Sequence, residues 1–110
     1  MVAARELALM KPTALLINTA RGGLIDEPAL AAALREGRIG GAGIDTFDEE
    51  PPRPDNPLLG IDRAILSPHI AGLTEEAMAR LSVTAAENIL AGLDGRLDPA
   101  LVVNAQVLQR

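Results

Sequence analysis

Short apolar runs alternate with segments of helical periodicity along the chain. Residues 14–19 are nearly continuous in apolar side chains, which predicts a strand buried on both faces, as in a parallel sheet. Residues 39–47 and 64–67 predict a second and a third strand. Because a helix separates the first two strands, a right-handed βαβ crossover is expected, and the pattern indicates the α/β class.

Local signals mark the limits of the helix between the first two strands. Asp26 is a good N-cap residue, and Pro28 stands near the first helical position, where its missing N–H costs nothing. Gly37 predicts the end of the helix, because glycine readily adopts the left-handed conformation of a C-terminal cap. Leu30 and Leu34 are expected on its buried face.

The last third of the chain predicts a long helix and a tail. Thr74, followed by two glutamates, is expected to cap the helix, which should end at Gly92 or Gly95. Apolar residues recur along it at helical spacing, namely Met78, Leu81, Ala85 and Ile89. Residues 97–110 form the tail, whose apolar part is predicted to be extended.

Aromatic residues are nearly absent from the 110-residue chain. It has one Phe, no Trp and no Tyr, although 48% of its residues are hydrophobic. Because aromatic side chains usually supply much of the buried area, the core has to be built from Ala, Leu, Ile and Val. The length corresponds to one small domain, and this composition is typical of part of a larger protein.

Charge and cysteine content exclude several classes of function. The formal net charge is −5, with 10 basic against 15 acidic residues, which disfavours a nucleic-acid partner. No run approaches the ~20 apolar residues of a membrane span, and we expect no membrane partner. The absence of cysteine removes disulfides and thiolate metal sites, and no metal site is predicted. A cytoplasmic protein is the expectation.

Candidate chemistry lies where the predicted strands end. Ligands of open parallel sheets bind at the carboxyl ends of the strands. Arg21 follows the first strand, Asp45 and Glu50 follow the second, and His69, the only histidine, follows the third. A carboxylate that orients an imidazole, together with a guanidinium that binds an anion, forms an acid–base set.

Each of these residues also has a purely structural interpretation. His69 alone would be an ordinary loop residue, and Arg21 could form an ion pair with Asp26. Glu50 belongs to an acidic run of the kind that usually faces solvent. The segment 41–46 begins like the dinucleotide motif G-x-G-x-x-G, but it lacks the third glycine and lies within a strand, so close packing of a helix is the expected reason for its glycines.

Five sequence blocks together resemble a known family over residues 5–104. The blocks are Met10-Lys11-Pro12, Asn18-Thr19-Ala20-Arg21-Gly22, Leu24-Ile25-Asp26, Gly43-Ile44-Asp45-Thr46-Phe47 with Glu50-Pro51, and Ser67-Pro68-His69-Ile70-Ala71-Gly72. In this order and at these spacings they resemble the D-isomer-specific 2-hydroxyacid dehydrogenases, a family that includes phosphoglycerate dehydrogenases and glyoxylate/hydroxypyruvate reductases. The resemblance implies the second half of a Rossmann-like doubly wound NAD(P)-binding domain.

The resemblance also implies roles for the residues at the strand ends. His69 would exchange a proton with the hydroxyl of a small 2-hydroxy acid, or with the developing alkoxide of a 2-oxo acid. Glu50 would bind its imidazole, and Arg21 would bind the substrate carboxylate. The reaction implied is hydride transfer between the substrate and NAD or NADP, with NAD favoured.

A second set of residues is implied to contact the cofactor. Asp45 matches the family position that faces the nicotinamide carboxamide. The full cofactor set is Thr19, Ala20, Arg21, Asp45, His69, Ala71 and Gly72. The resemblance further implies a homodimer for full-length members.

The chain also departs from the family pattern. The strand, G-x-G-x-x-G turn and helix that open the family's cofactor domain have no counterpart here, nor does a substrate domain. We therefore expect residues 1–96 to be the C-terminal portion of a cofactor domain and residues 97–110 to be a tail that returns to the missing substrate domain. A fragment of this kind is expected to have little activity alone. The alternatives are an NAD-sensing, non-catalytic module of the corepressor type and an inactive truncated gene product.

Overall fold

The computed structural model describes residues 1–109, which form a small parallel sheet, three α-helices and two 3₁₀ turns. In chain order the elements are α1 (Ala4–Ala8), β1 (Leu15–Asn18), α2 (Glu27–Arg35), β2 (Gly41–Ile44), β3 (Ala64–Leu66) and α3 (Glu75–Leu93), followed by the 3₁₀ turns Pro99–Leu101 and Ala105–Gln109. The chain divides into two units, Met1–Gly72 and Leu73–Arg110.

The sheet has the order β1-β2-β3, and both strand pairs are parallel. Ile17 is in register with Gly43, which is in register with Ile65. The predicted α/β class with a parallel sheet is confirmed. The strands are shorter than the apolar runs that predicted them, because the chain leaves the sheet at the polar residues that follow.

One face of the sheet is covered within the unit Met1–Gly72. Its core joins residues of α1, α2, the strands and the loops: Leu7, Ile25, Leu30, Ala31, Ala33, Leu34, Ile39, Ala42, Ile44, Phe47 and Leu58. Leu30 and Leu34 of α2 are fully buried, as their spacing predicts. The core is built almost wholly from aliphatic side chains, and Phe47 is its one aromatic member in the described part of the chain.

The predicted limits of α2 are confirmed. The side chain of Asp26 accepts a hydrogen bond from the N–H of Ala29 at 2.9 Å, which satisfies one of the free donors of the first turn. Pro28 stands in that turn. The helix ends before Gly37, whose φ of 68° is the left-handed conformation expected of a C-terminal cap.

The prediction that the first strand is buried on both faces is wrong. Leu15 and Ile17 are 70% and 69% exposed, and Ile65 on β3 is 80% exposed. The helices of the unit Met1–Gly72 cover only the opposite face, so an apolar run alone does not show that both faces are occupied. A Cβ built on Gly43 would meet side-chain atoms of Ile17 at 3.7 Å, so within this unit its nearest neighbour is a strand and not the expected helix.

The unit Leu73–Arg110 contains α3 and the tail. The Thr74 side chain accepts a hydrogen bond from the N–H of Ala77 at 3.1 Å, which confirms the predicted cap. The tail contains two 3₁₀ turns, the first of which starts where the Asp98 side chain accepts from the N–H of Ala100. Of the apolar stretch 101–103 that was expected to be extended, Leu101 belongs to this turn and Val102 is extended. In the described residues no helix is long and apolar enough to span a membrane.

The predicted domain limits, 1–96 and 97–110, stay a prediction. Residue 110, which belongs to the predicted tail, lies outside the described residues.

Candidate functional site

The carboxyl ends of the three strands meet at one edge of the sheet. The N–H of Asp45, directly after β2, donates to the carbonyl of Asn18 at the end of β1, at 2.9 Å. On the other side, the N–H of Ser67 donates to the carbonyl of Ile44 at 3.0 Å. The three polar segments predicted from the sequence therefore lie side by side, all within the unit Met1–Gly72.

His69 and Glu50 form a hydrogen-bonded pair at this edge. Nδ1 of His69 lies 2.8 Å from Oε2 of Glu50, while Oε1 of Glu50 accepts from the N–H of Phe47 at 3.1 Å. Because an ionised carboxylate only accepts hydrogen bonds, Nδ1 carries the proton in this contact and Nε2 is left to exchange a proton with a ligand. The two side chains are 43% and 38% exposed, so a ligand can reach them.

The surroundings of Glu50 favour its ionised form. The hydrogen bond with His69 is the largest cause of a lowered pKa of the Glu50 carboxyl, and the N–H of Phe47 adds to it. Burial opposes this shift, while the charges of His69 and Arg21 support it. Glu50 is thus suited to accept a hydrogen bond from the imidazole throughout the neutral pH range.

Arg21 stands on a turn that Asn18 shapes. The buried Asn18 side chain donates to the carbonyl of Arg21 at 2.9 Å and accepts from the N–H of Ala20 at 3.1 Å. One guanidinium N–H of Arg21 donates to the carbonyl of Ala20 at 2.6 Å. Arg21 forms no ion pair with any described residue, and Asp26, its predicted structural partner, caps α2 instead. Several guanidinium donors therefore remain available for an anion.

Two loops bring Arg21 next to the His69–Glu50 pair. We call residues 20–23 the Arg21 turn and residues 47–50 the Glu50 loop. A Cβ built on Gly22 would overlap the carbonyl group of Phe47, so only glycine allows this approach, and the N–H of Gly23 donates to the Asp48 carboxylate. An open cavity of about 260 Å³ results, lined by Arg21, Gly22, Phe47, Asp48, Glu50 and His69.

Asp45 fixes the turn that presents His69. Its carboxylate accepts from the Ser67 hydroxyl at 2.5 Å and from the N–H groups of Ile70 and Ala71, each at 2.9 Å. The Ser67 hydrogen bond is the largest cause of a lowered pKa of the Asp45 carboxyl. His69 has a φ of 55°, a left-handed conformation that is costly for a side-chain-bearing residue and persists only where the surroundings enforce it.

The remaining residues of the predicted cofactor set lie at the rim of the same edge. Thr19 and Ala20 are exposed beyond β1, and Ala71 and Gly72 are exposed beyond the His69 turn. A Cβ built on Gly72 would meet no described atom within 4 Å. In the described chain no group of His, Asp and Glu residues is arranged to hold a metal ion.

An apolar pocket adjoins the imidazole. It has a volume of about 220 Å³ and is lined by Phe47, Pro51, Pro52 and Pro68, together with Glu50 and His69. Proline rings hold this wall in place, because their φ angles are restricted.

Sequence reasoning missed three polar residues that shape the site. Asn18 and Ser67 are polar residues at the ends of apolar strands, a signal that could have found them. The sequence marks Glu27 only as an acidic residue between the N-cap Asp26 and Pro28, yet it is 7% exposed and accepts hydrogen bonds from two distant segments. No local signal in the sequence indicates those partners.

Comparisons with known proteins identify the family of this chain. A family model described as "D-isomer specific 2-hydroxyacid dehydrogenase, NAD binding domain" matches residues 1–71. Glyoxylate reductase of Thermofilum pendens is 50% identical over 104 residues, which make up 94% of this chain and 30% of that protein.

Solved structures share the fold. An NADPH-dependent glyoxylate/hydroxypyruvate reductase from Sinorhizobium meliloti, in complex with citrate, is 38% identical with a TM-score of 0.73, covering 82% of this chain and 28% of that one. D-lactate dehydrogenase with NAD+ from Lactobacillus jensenii is 30% identical with a TM-score of 0.75, and the match covers 86% of this chain and 32% of that one.

The chain thus spans only about 30% of the length of the relative it matches at 50% identity. The resemblance that the motifs indicate is confirmed, because the family model covers well over half of the chain. The chain belongs to the D-isomer specific 2-hydroxyacid dehydrogenases, of which it carries part of the NAD binding domain.

Proposed function

We propose that this chain supplies the proton-transfer and carboxylate-binding part of an oxidoreductase that interconverts small 2-oxo and 2-hydroxy acids with NAD or NADP. The observation that carries the proposal is the His69–Glu50 hydrogen bond of 2.8 Å, on the same cavity as Arg21. An imidazole held by a carboxylate beside an unpaired guanidinium is suited to an anionic substrate that gains or loses a proton.

His69 is the proton donor and acceptor in this proposal. With Nδ1 held by Glu50, Nε2 gives a proton to the oxygen of a 2-oxo acid during reduction and takes it back during oxidation. The lowered pKa of the Glu50 carboxyl keeps it ionised, so that it accepts the Nδ1 hydrogen bond and fixes the orientation of the imidazole. Glu50 therefore acts through His69 and does not itself exchange the proton.

Arg21 binds the carboxylate of the substrate. Its guanidinium offers parallel N–H donors that match the two oxygens of a carboxylate, and its charge polarises a neighbouring carbonyl. Lysine would not reproduce this fork. The exposed position of Arg21 on the cavity wall supports this assignment.

The residues at the sheet edge fit a nicotinamide. Ser67, Ile70 and Ala71 occupy three of the four acceptor positions of the Asp45 carboxylate. The fourth position, on Oδ2, is left for the N–H of a carboxamide. Thr19, Ala20 and the open surface at Gly72 would complete the pocket. When bound, the cofactor supplies or receives the hydride. The D-lactate dehydrogenase with NAD+ and the NADPH-dependent reductase described above support either cofactor.

Binding experiments on the chain itself test the proposal. His69 is the only histidine, so its imidazole signals in an NMR spectrum need no assignment by mutation. We expect oxamate, an unreactive 2-oxo acid analogue, to shift those signals in the wild type and not in Arg21→Ala, with Arg38→Ala as a control for loss of charge. Equal shifts in wild type and Arg21→Ala would contradict the assignment.

Turnover requires parts that this chain does not contain, in our proposal. We expect little or no oxidation of NADH with glyoxylate by the chain alone, and substantial turnover would contradict that expectation. In a protein extended to the length of its relatives, which we expect to be a homodimer, His69→Ala should lower turnover by about 10² to 10⁴-fold.

A further inference from the structure

Glu27 is the buried acid that the proposed chemistry does not use. It is the first residue of α2 and only 7% exposed. Glutamate is rarely buried to this extent unless it is paired, and among the described residues Glu27 has no cationic partner. The helix does not need it as a cap, because Asp26 already accepts from the N–H of Ala29.

The Glu27 carboxylate instead joins two distant loops. Oε1 accepts from the N–H of Asp48 at 2.8 Å, and Oε2 accepts from the side-chain N–H of Asn56 at 2.7 Å. Asn56 in turn accepts from the N–H of Leu58 at 3.0 Å, and Leu58 is fully buried in the core. One carboxylate thus attaches the Glu50 loop to both α2 and the core.

The same loop holds the Arg21 turn. Asp48 accepts from the N–H of Gly23 through its side chain while its own N–H binds Glu27. Its neighbour Phe47 donates to Glu50 at 3.1 Å. A displacement of the Glu50 loop would therefore change the position of Arg21 and of Glu50 together.

We propose that Glu27 is a positioning residue for the candidate site. Its carboxylate fixes the Glu50 loop, and Asp48 transmits that constraint to the Arg21 turn. This inference rests on the proposed function, since the spacing of Arg21 and His69 matters only if both act on one substrate. Glu27 itself touches neither residue and acts through the loop.

Amide hydrogen exchange on the intact chain tests the structural part of the inference. Glu27→Ala should accelerate exchange at the amides of Asp48 and Gly23 by about tenfold, and leave Leu34, inside α2, unchanged. Glu27→Gln keeps an acceptor for Asp48 but sets an N–H₂ group against the Asn56 amide, so it should restore slow exchange at both sites only in part. Glu49→Ala, an exposed neighbour with the same change in net charge, should behave as the wild type.

Two outcomes of the exchange experiment on Glu27→Ala would overturn the inference. Unchanged exchange at Asp48 and Gly23 in Glu27→Ala would show that the carboxylate does not hold the loop. Equal acceleration at Leu34 would show a general loss of stability and no positioning role. Should Glu27→Ala not fold, Asp48→Ala serves instead, because Asp48 is exposed: it should accelerate Gly23 alone, and unchanged exchange at Gly23 would equally refute the coupling.

Oxamate binding, followed on the His69 signals, tests the functional part. Glu27→Ala should weaken binding by about tenfold. Glu27→Gln should weaken it less, and Glu49→Ala should bind as the wild type does. Affinity in Glu27→Ala equal to that of the wild type would refute the positioning role. If the wild type itself binds no oxamate, the proposed function fails, and the exchange experiment still decides whether Glu27 holds the two loops.

Discussion

Replacing Gly22 with alanine should disrupt the junction between the Arg21 turn and the Glu50 loop. A Cβ at this position would overlap the carbonyl group of Phe47 and lie 2.8 Å from the Asp48 nitrogen, whereas 3.0 Å is the closest approach that Cβ atoms show. The obstructing atoms are backbone, so no side-chain rotation relieves the overlap. The carbonyl would have to move by about 1 Å.

Two contributions reduce the free energy of unfolding of Gly22→Ala. Overpacking of this kind costs about 1–3 kcal/mol, and the rigid backbone places Gly22→Ala near the upper end. Separation of the loops also breaks the hydrogen bond from Gly23 to Asp48, which contributes about 1 kcal/mol. We therefore expect a loss of about 3–4 kcal/mol, a large part of the ~5–15 kcal/mol that stabilises a typical domain.

Urea unfolding followed by far-UV circular dichroism measures this loss, since the chain has no Trp or Tyr to report by fluorescence. Gly43→Ala is the matched control, because its Cβ would make an ordinary contact of 3.7 Å with Ile17. That variant should gain about 0.5–1 kcal/mol from the reduced freedom of the unfolded chain. A loss below about 1 kcal/mol in Gly22→Ala, or similar midpoints for the two variants, would refute the steric argument.

Three further predictions concern the core, the Thr46 hydroxyl and the two carboxylates of the site. Leu30 is fully buried, so Leu30→Ala should lower the free energy of unfolding by about 2–5 kcal/mol, measured by the same urea assay. The buried Thr46 hydroxyl has no hydrogen-bond partner among the described residues, so Thr46→Val should raise that free energy by about 1 kcal/mol, and a loss would contradict this. In the folded chain, hydrogen bonds lower the pKa of the Asp45 and Glu50 carboxyls below their ordinary values of 3.8 and 4.5. The two carboxylates therefore stabilise the fold at a pH above these ordinary values, and the stabilisation is lost as the pH falls through the lowered pKa values of the folded chain. The urea midpoint should therefore fall on acidification from neutral pH to about pH 3, and it should fall less in a chain carrying Asp45→Asn and Glu50→Gln.

The parts of the fold that the sequence predicts are those with local signals. Asp26 and Gly37 limit α2 through contacts with residues close in sequence, and the structure places the helix between them. The strand ends were predictable for the same reason, since polar residues such as Arg21 and His69 interrupt apolar runs. Parallel pairing then brings those ends together without any further information.

The rest depends on contacts between distant residues. The apolar run of β1 predicts burial of Leu15 and Ile17, but no pattern within the run shows what covers each face. In the sequence, Glu27 looks like an ordinary acidic residue of a first helical turn, because its hydrogen-bond partners Asp48 and Asn56 follow 21 and 29 residues later. The left-handed backbone of His69 is likewise set by the Asp45 carboxylate and not by its neighbours in sequence.

The hydrogen bonds of the candidate site lie within one unit of the chain, whereas one face of the sheet exposes apolar side chains. Every hydrogen bond that shapes the site joins residues within the unit Met1–Gly72, from Asn18 at one end of the edge to Ala71 at the other. Ile17 and Ile65, in contrast, leave apolar surface exposed on a parallel sheet, a type of sheet that is normally covered on both faces. The unit Met1–Gly72 therefore contains the residues that arrange Arg21, Glu50 and His69, while its own helices cover only one face of the sheet. For this reason ligand binding and local exchange, and not turnover, are the measurements that test the site in this chain.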